Sequence, residues 1–245
     1  MNSFNLMILA AGYGQRMKHL TTSKPKPLLK INNKELLKHN IDFFLNLGCY
    51  KIIINTHYLH DQIKDFIEEF YSNSNIQLIY EPILLNTGGG IKNALKILGD
   101  NNFLVTNVDI IWREENKIDV LNFIHKYQEI ESCKLLLAKD ENFLGLKKSK
   151  GDFKFKNKKI TRWKQNDPYI YYSGLQIINP RIFNLIQQRY FSINELWDET
   201  EDLYDEINSL LMSINAINDI KQRLATIETE LKYLSRDPRL GSPHG

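Results

Sequence analysis

Four short, largely apolar runs at residues 5–10, 51–56, 76–80 and 102–107 alternate with segments at 34–47, 61–70 and 90–98 whose apolar residues recur at helical spacing. No other feature restricts the fold as strongly. A run with little polar alternation reads as a strand buried on both faces, and repeated strand–helix–strand order builds right-handed crossovers with parallel pairing. The expected class is therefore α/β: a Rossmann-like, mainly parallel sheet flanked by helices, with ligands received at the carboxyl ends of the strands. Another helix is expected at 117–129. Beyond it come strand-like pieces at 134–138, 151–155, 159–162 and 169–178, which read as a β-rich half of the same domain.

The α/β domain is expected to span residues 1–202. From there the pattern changes: Ile207, Leu210, Ile214, Ile217, Ile220, Leu224, Ile227, Leu231 and Leu234 follow steps of three and four, which predicts a long, heptad-like helix over 203–234 for packing or oligomerisation. Residues 235–245, with Pro238, Gly241, Pro243 and Gly245, are expected to be a disordered tail. A balance of 32 basic against 29 acidic residues, net +3, argues against nucleic acid as a partner. Two cysteines without metal-type spacing fit a reducing cytoplasm. No stretch approaches the ~20 apolar residues of a spanning helix, so a soluble protein with no membrane partner is expected.

Candidate chemistry begins where the first run ends. Leu9, Ala10, Ala11, Gly12, Tyr13, Gly14, Gln15, Arg16 and Met17 place small residues at a strand end, where backbone N–H groups approach a phosphate closely. Alone, such a glycine pair is equally a plain turn. It lacks the Lys-Ser/Thr of a P-loop and the third glycine of a dinucleotide fingerprint. Lys26 follows between Pro25 and Pro27, whose fixed φ angles stiffen the loop and aim the ammonium. Arg16 grips phosphate oxygens bidentately while Lys26 adds a compact charge. Asp109, just past the fourth run, is either a turn residue or a Mg²⁺ carboxylate. His57 and His60 have no third ligand or catalytic glutamate at zinc spacing; His57 is expected at the pocket border and His60 at a helix start.

Residues 9–28 resemble the signature of sugar-1-phosphate nucleotidyltransferases, with His19 at a usual proline. The similarity continues through residues 55–58, 81–90, 107–109, 151–153 and 172–174, with Val108 at a usually small position. Within that family the chain is most similar to N-acetylmuramate-1-phosphate uridylyltransferases of peptidoglycan recycling and mannose-1-phosphate guanylyltransferase-like proteins. The resemblance implies the nucleotide-diphospho-sugar transferase fold. It assigns catalysis to Arg16, Lys26 and Asp109, and magnesium to Asp109. Leu9, Ala11, Gly12, Gly14, Asn55, Glu81, Thr87, Gly88 and Gly89 would line the nucleotide site. Asn107, Gly151, Arg162, Trp163, Ser173 and Gly174 would receive the sugar phosphate, making the β-rich half the acceptor side. UTP is the implied nucleotide, then GTP.

Relatives of this kind continue past the counterpart of residues 191–198 into a segment carrying a second magnesium carboxylate, which the sequence replaces with the heptad-like stretch. A weakened transferase whose tail packs or forms homo-oligomers is therefore expected. A nucleotide-binding regulatory or assembly module is the alternative.

Overall fold

The computed structural model describes residues 3–127, 130–139, 143–144, 151–156, 159–167, 169–199 and 212–213. Its centre is a six-stranded sheet built from β1 (Phe4–Leu9), β4 (Cys49–Thr56), β5 (Ile76–Tyr80), β6 (Phe103–Asn107), β7 (Cys133–Ala138) and β11 (Tyr171–Ile178) in the order β5-β4-β1-β6-β11-β7. Strands β5, β4, β1 and β6 pair in parallel, and β11 runs antiparallel to both of its neighbours. The crossover helices are α1 (Leu36–Asn46), α2 (His60–Tyr71), α3 (Asn86–Leu98) and α4 (Lys117–His125), followed by α5 (Ile193–Glu199).

Period-two alternation in strands divides the core into two layers. Leu6, Ile8, Ile52, Ile54 and Leu104 face a cluster with Leu37, Ile41 and Phe44 of α1, Ile63 and Phe66 of α2, and Val120 and Phe123 of α4. Met7, Ile53, Phe103 and Val105 face Ile91, Ala94 and Leu98 of α3 and Leu196 and Trp197 of α5. Fully burying a side chain of this size contributes ~1.5–3 kcal/mol, so the double-sided run is the main source of stability.

Three departures from the sequence expectation have local causes. Residues 34–35 belong to a hairpin of β2 (Lys30–Ile31) with β3 (Lys34–Glu35), because Asn32 and Asn33 both take positive φ (52° and 62°), the turn geometry that suits a two-residue hairpin. Helix α3 starts at Asn86 and so includes the glycine triplet: side chains at Gly88 and Gly89 would fall on the Phe191 ring and the Arg189 carbonyl. Tertiary packing thus overrides poor helix propensity. Third, the strand-like pieces of the β-rich half do not stay together: β7 and β11 complete the main sheet, whereas β9 (Phe153–Lys156) and β10 (Lys159–Arg162) form a hairpin of their own. Of the rest, β8 (Phe143–Leu144) pairs in parallel with β12 (Met212–Ser213). Apart from those two residues, the expected 203–234 helix and 235–245 tail lie outside the described residues. Among the described residues, no helix is long and apolar enough to cross a membrane.

At the α1–α2 contact, Asp42 accepts hydrogen bonds from Lys34 (2.7 Å) and Tyr71 (2.5 Å). Burial works to raise the Asp42 pKa, but the hydrogen bonds from Lys34 and Tyr71, with the charges of Lys34 and Lys38, outweigh it and hold the carboxyl below its ordinary value. A depressed native pKa stabilises the fold above the unfolded value, and that stabilisation is lost as pH falls through the native one. Asp42→Asn should lower Tm at pH 7, with the difference from wild type shrinking below about pH 4 as unfolded-state protonation takes over. Thermal melts across pH check this; a constant difference would show that Asp42 acts through shape alone.

Candidate active site

Three strand ends are fastened together by one buried chain of hydrogen bonds. The Ala10 N–H donates to Asn55 Oδ1 (2.9 Å), Asn55 Nδ2 donates to Glu81 Oε1 (2.8 Å), and Glu81 Oε2 accepts from the Leu85 N–H (3.0 Å). Ala10, Asn55 and Glu81 are all buried. The loops after β1, β4 and β5 consequently share one frame, above which lies a cavity of about 490 Å³.

One wall is the turn after β1. Gly14 has φ 66°, and its carbonyl accepts from the Met17 N–H (2.8 Å) and the Thr21 hydroxyl (3.2 Å). At Gly12, in contrast, a Cβ would meet nothing within 4 Å, so the side facing the cavity is open. Pro25 and Pro27 flank Lys26 in a short 3₁₀ turn, and the Lys26 ammonium lies 2.5 Å from Asp109 Oδ2, with the two side chains 15% and 20% exposed. Asp109 sits on the turn after β6, whose Val108 N–H donates to the Leu9 carbonyl (3.3 Å). Charges from two distant stretches of sequence therefore meet at the cavity, beside the exposed Arg16.

Of the residues singled out in sequence, Leu9, Ala11, Gly12, Gly14, Arg16, Lys26, Asn55, Thr87, Asn107 and Asp109 line this cavity. Others lie elsewhere. Glu81 is fully buried in the Asn55 bridge. The Gly88 and Gly89 N–H groups both donate to the Phe191 carbonyl, next to the cavity-lining Thr87, whose Oγ1 accepts from the Ile193 N–H. Gly151 packs against Tyr169. Arg162 bonds Asp198 (2.6 Å) and both the side chain and the carbonyl of Asn194, while its guanidinium covers Phe153 and Trp197. Trp163 donates to the Asp167 carbonyl. Ser173 is buried, and Gly174, at φ 91°, leaves room for Ile110.

Sequence reasoning passed over Tyr13, Leu84 and Asn86, which also line the cavity. Tyr13 occupies an unconstrained position between two glycines, and only the fold brings it to His57. The His57 Nδ1 lies 2.7 Å from the Glu81 carbonyl and Nε2 2.8 Å from the Tyr13 hydroxyl. A carbonyl only accepts, so Nδ1 carries the proton and Nε2 accepts from Tyr13. Asn86 holds φ 64° with Oδ1 accepting from the Thr87 N–H (2.8 Å). Asparagine at a position needing the left-handed region was the available signal. His60 opens α2 and bonds Thr56 Oγ1 instead of joining His57. Among the described residues, no group of three or more His, Cys, Asp or Glu is placed to hold a metal ion. Burial pushes the Cys49 thiol up to about 12 and raises Cys133 too, so neither is a ready nucleophile.

A family profile described as Nucleotidyl transferase matches residues 5–212. The N-acetylmuramate alpha-1-phosphate uridylyltransferase of Caulobacter vibrioides is 30% identical over 199 residues, covering 78% of this chain and 81% of that protein. The mannose-1-phosphate guanylyltransferase catalytic subunit beta of Dictyostelium discoideum is 28% identical over 203 residues, covering 77% of this chain but only 53% of its own length. In fold, the chain is similar to HddC from Yersinia pseudotuberculosis complexed with GMP-PN, with a TM-score of 0.71 at 23% identity, covering 89% of this chain and 97% of that one.

The two kinds of glycine predict opposite outcomes. Gly89→Ala should destabilise by about 1–3 kcal/mol, as overpacking against backbone does, whereas Gly12→Ala should leave Tm nearly unchanged and act on ligand binding alone. Calorimetry on both variants decides; a large loss of stability at Gly12 would show that its openness is not a ligand feature.

Proposed function

The chain belongs to the nucleotidyl transferase family, and from that premise we propose that it transfers a uridylyl group from UTP to a sugar 1-phosphate, with GTP as the second-choice nucleotide. Enzymes of the sugar-1-phosphate nucleotidyltransferase type release pyrophosphate and a nucleotide sugar. N-acetylmuramate 1-phosphate is the proposed acceptor, a reading supported by the Caulobacter relative's name, and a cytoplasmic role in peptidoglycan recycling is proposed with it. Homo-oligomerisation through residues 203–234 is part of the same proposal.

The meeting of Lys26 and Asp109 at 2.5 Å beside the open face of Gly12 carries this reading. Sheet order gives the ligand its direction. Asp109 follows β6 on one side of β1, while Leu84, Asn86 and Thr87 follow β5 two strands away on the other, roughly 10 Å from β1. A nucleotide laid across the strand ends places its phosphates at Gly12, Arg16 and Lys26 and its base near Leu84–Thr87. The acceptor phosphate oxygen is already ionised, so it attacks the α-phosphorus without a base; that P–O bond forms as the bond to pyrophosphate breaks. Arg16 and Lys26 hold the triphosphate in line and stabilise charge developing on the leaving group. Asn107 borders the acceptor side.

Asp109 fits a Mg²⁺ role of a limited kind. It is the one carboxylate among the described residues lining the cavity, it already faces a cation, and Mg²⁺ is commonly held by one or two carboxylates plus phosphate oxygens. Such an ion would neutralise phosphate charge. Before it binds, Lys26 screens the carboxylate, so the ammonium must move from Asp109 to the phosphates as substrate enters.

Pyrophosphate release measured with four nucleotides against muramic, mannose and glucose phosphates tests the assignment; no release with any pair rejects it. Lys26→Ala and Arg16→Ala should each reduce turnover by about 10²–10³ with little change in Tm. Asp109→Asn should raise the magnesium concentration required, with partial rescue by excess metal. Unchanged metal dependence would make Asp109 structural.

A further inference from the structure

We propose that Asn40 is a positioning residue that aims the Asp109 carboxylate from helix α1, through the backbone on either side of Asp109. The inference rests on the reading of Asp109 given above and adds a residue that does not touch the cavity. Asn40 lies on α1, fully buried, and its Nδ2 donates to the carbonyls of Val108 (3.1 Å) and Ile110 (2.9 Å), the residues on either side of Asp109. The same nitrogen reaches the Leu36 carbonyl one helical turn back (3.1 Å), so two hydrogens are shared among three acceptors. Its Oδ1 has no hydrogen-bond partner among the described residues. A buried carbonyl left unpaired is unfavourable, and what the amide obtains in return is the fixed course of residues 108–110.

The backbone at Asp109 needs such a fixture. Strand β6 ends at Asn107, so residues 108–110 are outside the ladder. Their other restraints are the Val108 N–H to Leu9 carbonyl bond, the Ile110 N–H to Asn107 carbonyl bond (3.2 Å), and Ile110 seated over Gly174, where a Cβ would come within 2.5 Å of Ile110 Cγ1. Among the described residues, Asn40 is the side chain that engages carbonyls on both flanks of Asp109. Among the described residues the carboxylate itself has Lys26 as its side-chain partner, and that partner must leave when phosphate arrives. From then on, the direction of the carboxylate is set by its backbone, and hence by Asn40. Removing a group that orients a metal-ligating residue typically costs about 10- to 100-fold in metal affinity or activity.

The test compares Asn40→Leu, which keeps the number and branching of side-chain heavy atoms and removes the donors, with Leu37→Ala, a buried change on the same helix and in the same core cluster that removes packing but no hydrogen bond to residues 108–110. Mn²⁺ serves as the probe, its free concentration read by electron paramagnetic resonance in the presence of UTP. Asn40→Leu should weaken Mn²⁺ retention and lower kcat by about tenfold each, with KM for the sugar phosphate within about twofold, whereas Leu37→Ala should lower Tm alone. Added to Asp109→Asn, Asn40→Leu should cause no further loss of Mn²⁺ retention, because its effect passes through that carboxylate. Asn40→Ser, with a shorter donor, should fall between wild type and Asn40→Leu and decides by the same readings if the leucine variant does not fold. Losses that multiply with Asp109→Asn, or equal those of Leu37→Ala, overturn the proposal. Unchanged Mn²⁺ retention in Asp109→Asn alone overturns the reading of Asp109 instead.

Discussion

Asn55 is the fixed point of the active-site end of the molecule. Where β1 leaves the ladder, the Ala10 N–H is buried and must find an acceptor; Asn55 supplies it and passes the bond to the fully buried Glu81. An amide is suited to this place because it accepts with one end and donates with the other. Leucine here would leave both a buried N–H and a buried carboxylate oxygen unmatched, and each such loss typically costs about 1–3 kcal/mol. The bridge also dictates sequence elsewhere: a Cβ at Gly90 would come within 2.8 Å of Asn55 Nδ2 and Glu81 Oε1, so α3 passes only as glycine. The glycine that opens the helically spaced segment 90–98 is thus a consequence of a buried polar contact.

The electrostatic arrangement follows from the same frame. The strand-end geometry brings Lys26 and Asp109 into contact although 83 residues separate them. Both are mostly shielded from solvent, which makes the attraction stronger than that of a surface pair. The pair keeps two largely shielded charges compensated, which either side chain alone would not be.

The fold was legible because it rests on periodicity. The runs ending at Ala10, Thr56, Tyr80 and Asn107 are double-faced, and no other common architecture buries such strands on both sides. The edge at β11 and β7 was less legible, since an antiparallel strand inserted into a parallel sheet depends on long-range pairing of Leu175–Ile178 with residues 103–106, which local pattern does not encode. Site legibility divides the same way. Gly12, Arg16, Lys26 and Asp109 stand at strand ends in a recognisable order, and they share the cavity. Arg162 and Trp163 carry ligand-suited chemistry but no positional signal, and their bonds go to Asn194, Asp198 and Asp167.

The glycine triplet shows how one sequence feature serves a purpose different from its apparent one. The N–H groups at the start of a helix form a ready anion site, yet those of Gly88 and Gly89 are occupied by the Phe191 carbonyl, and Lys92 on the same helix bonds the Ile186 carbonyl. The first turn of α3 is thereby bound to the 186–193 segment instead of to phosphate. What remains directed at the cavity is the residue before the triplet pair, Thr87, and Asn86 in its left-handed conformation. The cations lining the cavity, Arg16 and Lys26, come instead from the β1 turn and the stretch after it, on the opposite side of β4. The cavity therefore has a charged end beside Asp109 and a neutral end at Leu84, Asn86 and Thr87, because the N–H groups that could have made the second end polar are already bonded within the fold.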